Sequence, residues 1–188
     1  PEINGELIEF LKDEKWDLKL NMIRVGIVGG IGSGKSFISK LFGYPVFNAD
    51  NEVKLIYKNN KKCFYKLKKK LPKFINKFPI KKNELVSAIS SNKKNLKIIS
   101  SVVHPLVRKK MNEFIMNNRR YKMIILDIPL FIENKLNKKK DIIIFINFKN
   151  SKVLKRLKKR RNFNQKLIKK LRENQVILSK KRKLADYV

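Results

Sequence analysis

The chain is poor in the residues that build covalent or metal-clustered scaffolds. It has one cysteine, Cys63, in 188 residues. A single thiol excludes an internal disulfide and any multi-cysteine metal cluster, and fits a reducing compartment. Cys63 itself reads as a small apolar packing residue. There is also one histidine, His104, which on its own reads as a helix-start or packing residue. Long apolar runs are lacking. The best candidates, 123–132 and 142–148, are too short for a membrane span, and the first contains Asp127 and Pro129. The N-terminus is acidic, without the basic-then-apolar order of a signal peptide, so a cytoplasmic location and no membrane partner are expected.

Acidic residues are scarce too: 15 Asp and Glu stand against 47 Lys and Arg, for a net charge of +32. Such an excess favours polyanions through counterion release. The lysines, however, are spread along the whole chain among many Asn and Ile residues, as when AT-rich coding fills permissive surface positions. Most of the charge therefore reads as solvated surface, with weak, salt-sensitive adhesion to polyanions and no specific nucleic-acid partner.

What is present is a folding composition, 43% hydrophobic, in a length that suits one domain with room for a small inserted subdomain. Residues 1–21 are an acidic extension of unknown role, in which Leu7, Ile8, Phe10 and Leu11 have the spacing of a short docked helix. Met22 reads as a natural start, which would make the preceding segment an upstream extension or the tail of a fused neighbour.

Gly29-Gly30-Ile31-Gly32-Ser33-Gly34-Lys35-Ser36 spells G-x-x-x-x-G-K-S. It follows the apolar run Ile23-Arg24-Val25-Gly26-Ile27-Val28 and leads into a segment from Phe37 that can start a helix. Strand, glycine-rich loop and helix are the context of a phosphate-binding P-loop. Backbone N–H groups and the helix N-terminus face the anion. Lys35 would reach the β- and γ-phosphates and the Ser36 hydroxyl would ligate Mg²⁺. The nucleotide-binding set is thus Gly30, Ile31, Gly32, Ser33, Gly34, Lys35, Ser36 and Phe37.

A second strand is expected over 45–50, ending in Asp50. Segments 63–71, 83–90 and 104–118 read as helices within a helical insertion at about 58–120, with Pro105 in the first turn of the last. Met123-Ile124-Ile125-Leu126-Asp127-Ile128 and Ile142-Ile143-Ile144-Phe145-Ile146 read as strands buried on both faces, as in a parallel sheet covered by helices. Basic helices at 151–161 and 165–182 follow, and Asp186-Tyr187-Val188 looks like the start of another strand. The expected fold is a three-layer α/β/α sandwich with a parallel sheet, a helical insertion and a helical lid.

Ligands of open α/β sheets bind outside the carboxyl ends of the strands. Asp50 would there lie near the γ-phosphate, where it accepts a proton from an attacking hydroxyl or holds water around Mg²⁺; a helix cap is equally compatible with its position. Arg156 and Arg160 are spaced i, i+4 and share a helix face, solvated in most basic helices.

Four landmarks together resemble the dephospho-coenzyme A kinase family. They are the P-loop, Asn48-Ala49-Asp50 (the family's Asp-Ala-Asp with Asn for the first acid), His104-Pro105-Leu106-Val107-Arg108, and Pro129-Leu130-Phe131-Ile132-Glu133. Leu154-Lys155-Arg156, Arg160, Gln175 and Ala185-Asp186 fit the family's lid and C-terminal pattern, so the resemblance covers 22–188. It implies transfer of the ATP γ-phosphoryl group to the ribose 3′-hydroxyl of dephospho-CoA, with Mg²⁺, by a monomer or weak homo-oligomer. Lys35, Asp50, Arg156 and Arg160 would be catalytic, the arginines closing from the lid over the phosphates. Asp50, His104, Pro129, Leu130 and Glu133 would bind the acceptor, with a salt bridge to a lysine as the plain alternative for Glu133. Asp127 would join Ser36 at the metal, or be a buried structural carboxylate. Phe37 departs from the family's Thr, and the family's final strand end and helix are absent, so a truncated chain with an incomplete adenine pocket is expected. Rival readings are a nucleoside or nucleoside monophosphate kinase, which leaves His-Pro and Pro-Leu-x-x-Glu unexplained, and a basic RNA-binding P-loop protein, which lacks aromatic stacking motifs.

Overall fold

The computed structural model describes residues 22–148 and 177–188. Four strands, β1 (Ile23–Gly29), β2 (Val46–Asn48), β3 (Met123–Asp127) and β4 (Ile142–Ile146), form one parallel sheet in the order β2-β3-β1-β4. Parallel neighbours need crossovers, and helices supply most of them. Among the described residues these are α1 (Lys35–Leu41), α2 (Ala49–Asn59), α3 (Lys61–Lys70), α4 (Lys82–Ser91) and α5 (Lys93–Asn117); α6 (Leu178–Lys183) lies near residue 188.

The strand runs are almost wholly apolar because both sheet faces are covered. Ile124, Leu126 and Phe145 point to a face packed by Met111, Phe114 and Ile115 of α5. Val25, Ile27, Met123 and Ile125 point to the other, covered by Phe42, Tyr44 and Tyr187, with α1 packed against β1 and β3. Gly26 lets Phe131 lie across β1: a Cβ there would stand 2.3 Å from the Phe131 ring. The charged exception in β1, Arg24, is buried and answered by Asp141 at 3.0 Å. At the β4 edge, Tyr187 forms a parallel bridge to Ile144, and Asp186 N donates to Ile143 O at 2.8 Å. The expected start of a further strand is there.

The helical segment between β2 and β3 has its own apolar cluster, with Ile56, Cys63, Leu67, Ile75, Leu85, Ala88, Ile99 and Val103 buried together. Cys63 is fully buried, and burial pushes its thiol up to about 11, as suits a packing residue rather than a nucleophile. Helix α5 joins this cluster to the sheet, its first half in the one and its second half on the other.

Three local expectations change. Strand β2 stops at Asn48, whose side-chain oxygen accepts from Asn51 N at 2.9 Å and caps α2, so Asp50 lies in the first turn of a helix rather than at a strand end. Helix α5 starts at Lys93, capped by Asn92, and Pro105 falls in its interior. The N–H that Pro105 lacks would have met Ser101 O, and Ser101 is exposed, so water can serve that carbonyl. Of the helix expected over 165–182, residues 165–176 lie outside the described residues, and Ile177 (φ −51, ψ 133) is non-helical before α6.

Candidate functional site

The register brings Asn48 of β2 beside Asp127 of β3, and Asp127 beside Ile27 of β1, two residues before Gly29. The carboxyl ends of three strands therefore share one rim, and the P-loop rises from it. Gly34 caps α1 with φ 96, a left-handed conformation that L side chains rarely adopt. Behind it Lys35 is buried; its Nζ donates to Gly30 O at 2.9 Å and Gly29 O at 3.3 Å. These are neutral acceptors, and a phosphate in the loop would compete for the ammonium with a full charge.

Above the rim is a cavity of about 850 Å³. Ile31, Gly32, Gly34, Lys35, Ser36 and Phe37 line it, together with Asp50, His104, Asp127, Pro129, Leu130 and Glu133. Gly30 and Ser33 are not in the lining. Gly30 serves through its carbonyl to Lys35, and Ser33 is buried behind the loop. Asp50 is exposed to the cavity, and the capping alternative for it falls because Asn48 is the cap. Asp127 is 2% exposed and accepts from Asn48 Nδ2 at 2.5 Å; the same Nδ2 lies 3.4 Å from Ser36 Oγ.

A smaller pocket of about 180 Å³ opens beside the first and shares Asp50, His104, Pro129 and Leu130 with it. Val53, Val107, Ile128 and Leu136 make its remaining wall largely apolar. His104 is half-buried there; burial, and secondarily the Arg108 charge, hold its imidazole below the usual histidine range. Glu133 Oε1 lies 2.6 Å from Lys181 Nζ of α6, both side chains largely buried, so the ion-pair alternative for Glu133 is realised. Arg156 and Arg160 lie outside the described residues.

A family model for dephospho-CoA kinase matches residues 23–188. The chain belongs to the dephospho-CoA kinase family. It is 29% identical over 169 residues to the dephospho-CoA kinase of Wolbachia pipientis wMel, covering 87% of this chain and 86% of that one. To its counterpart in the Wolbachia of Brugia malayi it is 32% identical over 168 residues, with the same coverage. The crystal structure of TT1252 from Thermus thermophilus superposes with a TM-score of 0.74 at 26% identity, over 90% of this chain and 88% of that chain. The three-layer P-loop kinase fold and the ATP-dependent phosphorylation of dephospho-CoA, the last step of coenzyme A synthesis, follow from this membership.

Residues that motif reading missed also line the P-loop cavity. Lys97 and Ser100 face it from α5 on the same helix face as His104, a spacing that helical periodicity could have flagged. Lys181 had no sequence signal, since it is one lysine among many in a basic segment. A second groove of about 750 Å³ between α3 and α5 is rimmed by Lys62, Lys66, Lys70 and Lys109 over Ile56, Cys63 and Leu106; Pro105 and Leu106 of the His-Pro landmark line it, but no P-loop residue does. Among the described residues no helix is long and apolar enough to cross a membrane, and no group of three or more His, Cys, Asp or Glu side chains is placed to hold a metal.

Proposed function

We propose that the P-loop cavity holds ATP against dephospho-CoA, with the acceptor's 3′-hydroxyl at Asp50. The observation that carries this is the shared lining: Ile31, Gly32, Gly34, Lys35, Ser36 and Phe37 of the phosphate-binding set and the acceptor residues Asp50, His104, Pro129 and Leu130 face one space. The apolar side pocket continues from that acceptor end and suits the part of the acceptor that does not react.

Lys35 would exchange its loop carbonyls for the β- and γ-phosphates. Asp50 would align the hydroxyl and take its proton as the phosphoryl group transfers. A carboxylate is far too weak a base to strip a sugar hydroxyl beforehand, but in a loose transition state the proton leaves late. Mg²⁺ fits the donors present: Ser36 Oγ and the Asp127 carboxylate are hard oxygens within reach of one common atom, Asn48 Nδ2. One protein carboxylate beside substrate phosphates is the usual setting for this ion. Bound there, it would offset the charge on the β- and γ-phosphates. Residues 58–120 would seat the acceptor, and Arg156 and Arg160 would close as a lid from 151–182, neutralising the transferring group and excluding water.

Product analysis tests this. ATP and dephospho-CoA should give ADP and the 3′-phosphorylated product one for one. Lys35→Ala should reduce kcat at least tenfold with the circular-dichroism spectrum unchanged, as expected for removal of a phosphate-binding charge. Near-parent turnover by a folded Lys35→Ala enzyme contradicts the proposal.

A further inference from the structure

One side chain at the cation end of the site is bound to three elements. Asn48, at the end of β2, donates through Nδ2 to Asp127 Oδ2 of β3 at 2.5 Å and lies 3.4 Å from Ser36 Oγ of α1; its Oδ1 accepts from Asn51 N of α2 at 2.9 Å. The cap fixes the amide's orientation. Turned over, its oxygen would face the Asp127 carboxylate and its NH₂ would face the Asn51 N–H, two repulsions in place of two bonds. Nδ2 is therefore a neutral donor held against both oxygens that the proposed function assigns to Mg²⁺.

We infer that Asn48 stands where a second acidic ligand would stand and keeps the cation end of the site singly charged, so that the divalent cation is held only together with the nucleotide. This rests on Ser36 and Asp127 being the cation ligands. One carboxylate and one hydroxyl are a poor site for an ion that sheds water reluctantly, and phosphate oxygens must complete it. An acid at position 48 would instead put two carboxylates side by side, which repel each other without a cation and attract one strongly.

Asn48→Asp isolates this effect, because Asp caps a helix about as well as Asn and only the donor is replaced. Asn48→Ala removes the donor and adds no charge. Mn²⁺, which reports its own binding by electron paramagnetic resonance, is titrated into nucleotide-free protein. Asn48→Asp should bind it about tenfold more tightly or better, a modest return for one added close charge; Asn48→Ala should show no gain. Mg²⁺ alone should raise the melting temperature of Asn48→Asp and leave the parent's unchanged. With the unsubstituted protein, Mn²⁺ should bind in the presence of a non-hydrolysable ATP analogue and not without it. Tight Mn²⁺ binding by the nucleotide-free parent, no gain in Asn48→Asp, or an equal gain in Asn48→Ala each overturns the inference. No turnover is involved, so loss of dephospho-CoA phosphorylation with the Mn²⁺ contrast intact counts against the acceptor assignment alone. Intact turnover without the contrast counts against Asn48 alone.

Discussion

At the residue scale the decisive side chain is Asp50. It lies in the first turn of α2, exposed to the cavity that the P-loop lines, while Asn48 performs the capping. Asp50→Asn therefore keeps the helix end and removes the carboxylate proposed to accept the proton. We expect kcat to fall about 10²–10⁴-fold, the usual range for a general base, with melting temperature little changed. Turnover above about a tenth of the parent's, measured on the same preparation as the melt, would remove Asp50 from the mechanism. His104 makes a separate prediction. Burial lowers its folded pKa below the ordinary value near ~6.5, so the unfolded chain takes the proton first. Stability from this group is complete above pH ~6.5 and is lost as pH falls through the lowered folded value. His104→Gln should flatten the pH dependence of unfolding in that window. A parent-minus-variant difference that stays constant across it contradicts a buried neutral imidazole. The sequence made Asp50 and His104 candidates but not neighbours; that depends on α5 crossing the rim from a start at Lys93, which Pro105 concealed.

At the element scale, β1, β3 and β4 were readable because each is covered on both faces and so is nearly continuous in apolar residues. Short β2 was readable only in outline, since three residues carry little periodicity and the Asn48 cap is a side-chain choice. The tie between α6 and the rim of the P-loop cavity was not readable at all: Lys181 meets Glu133 across a long stretch of chain, in a region where lysine is everywhere. Lys181→Met should destabilise the protein by up to about 3–5 kcal/mol, the range for leaving half of a buried pair. Lys181→Met with Glu133→Leu should recover most of it. Melts of the single and double variants decide this, and a double variant no more stable than the single would show that the pair is not the cause. The acceptor KM of the double variant then reports on Glu133 itself: an unchanged value makes the residue structural, and a raised one gives it contact with substrate.

At the scale of the whole molecule, the family was legible from the P-loop, His-Pro and Pro-Leu-x-x-Glu motifs, and P-loop residues, His104, Pro129, Leu130 and Glu133 line one cavity in the fold. The charge of +32 pointed elsewhere and does not lead to a second phosphate-binding loop: no P-loop residue lines the lysine-rimmed groove between α3 and α5, and Lys110 at its edge pairs with Glu113 at 2.8 Å. Exposed charges of this kind are screened beyond about 8 Å at physiological salt, so the surface should bind polyanions only loosely. The most direct measurement is coupled ADP release with dephospho-CoA, adenosine and nucleoside monophosphates as competing acceptors at fixed MgATP. Dephospho-CoA should have the highest kcat/KM and should suppress turnover of the others. Equal or better use of a nucleoside monophosphate would contradict the assignment of this cavity to dephospho-CoA.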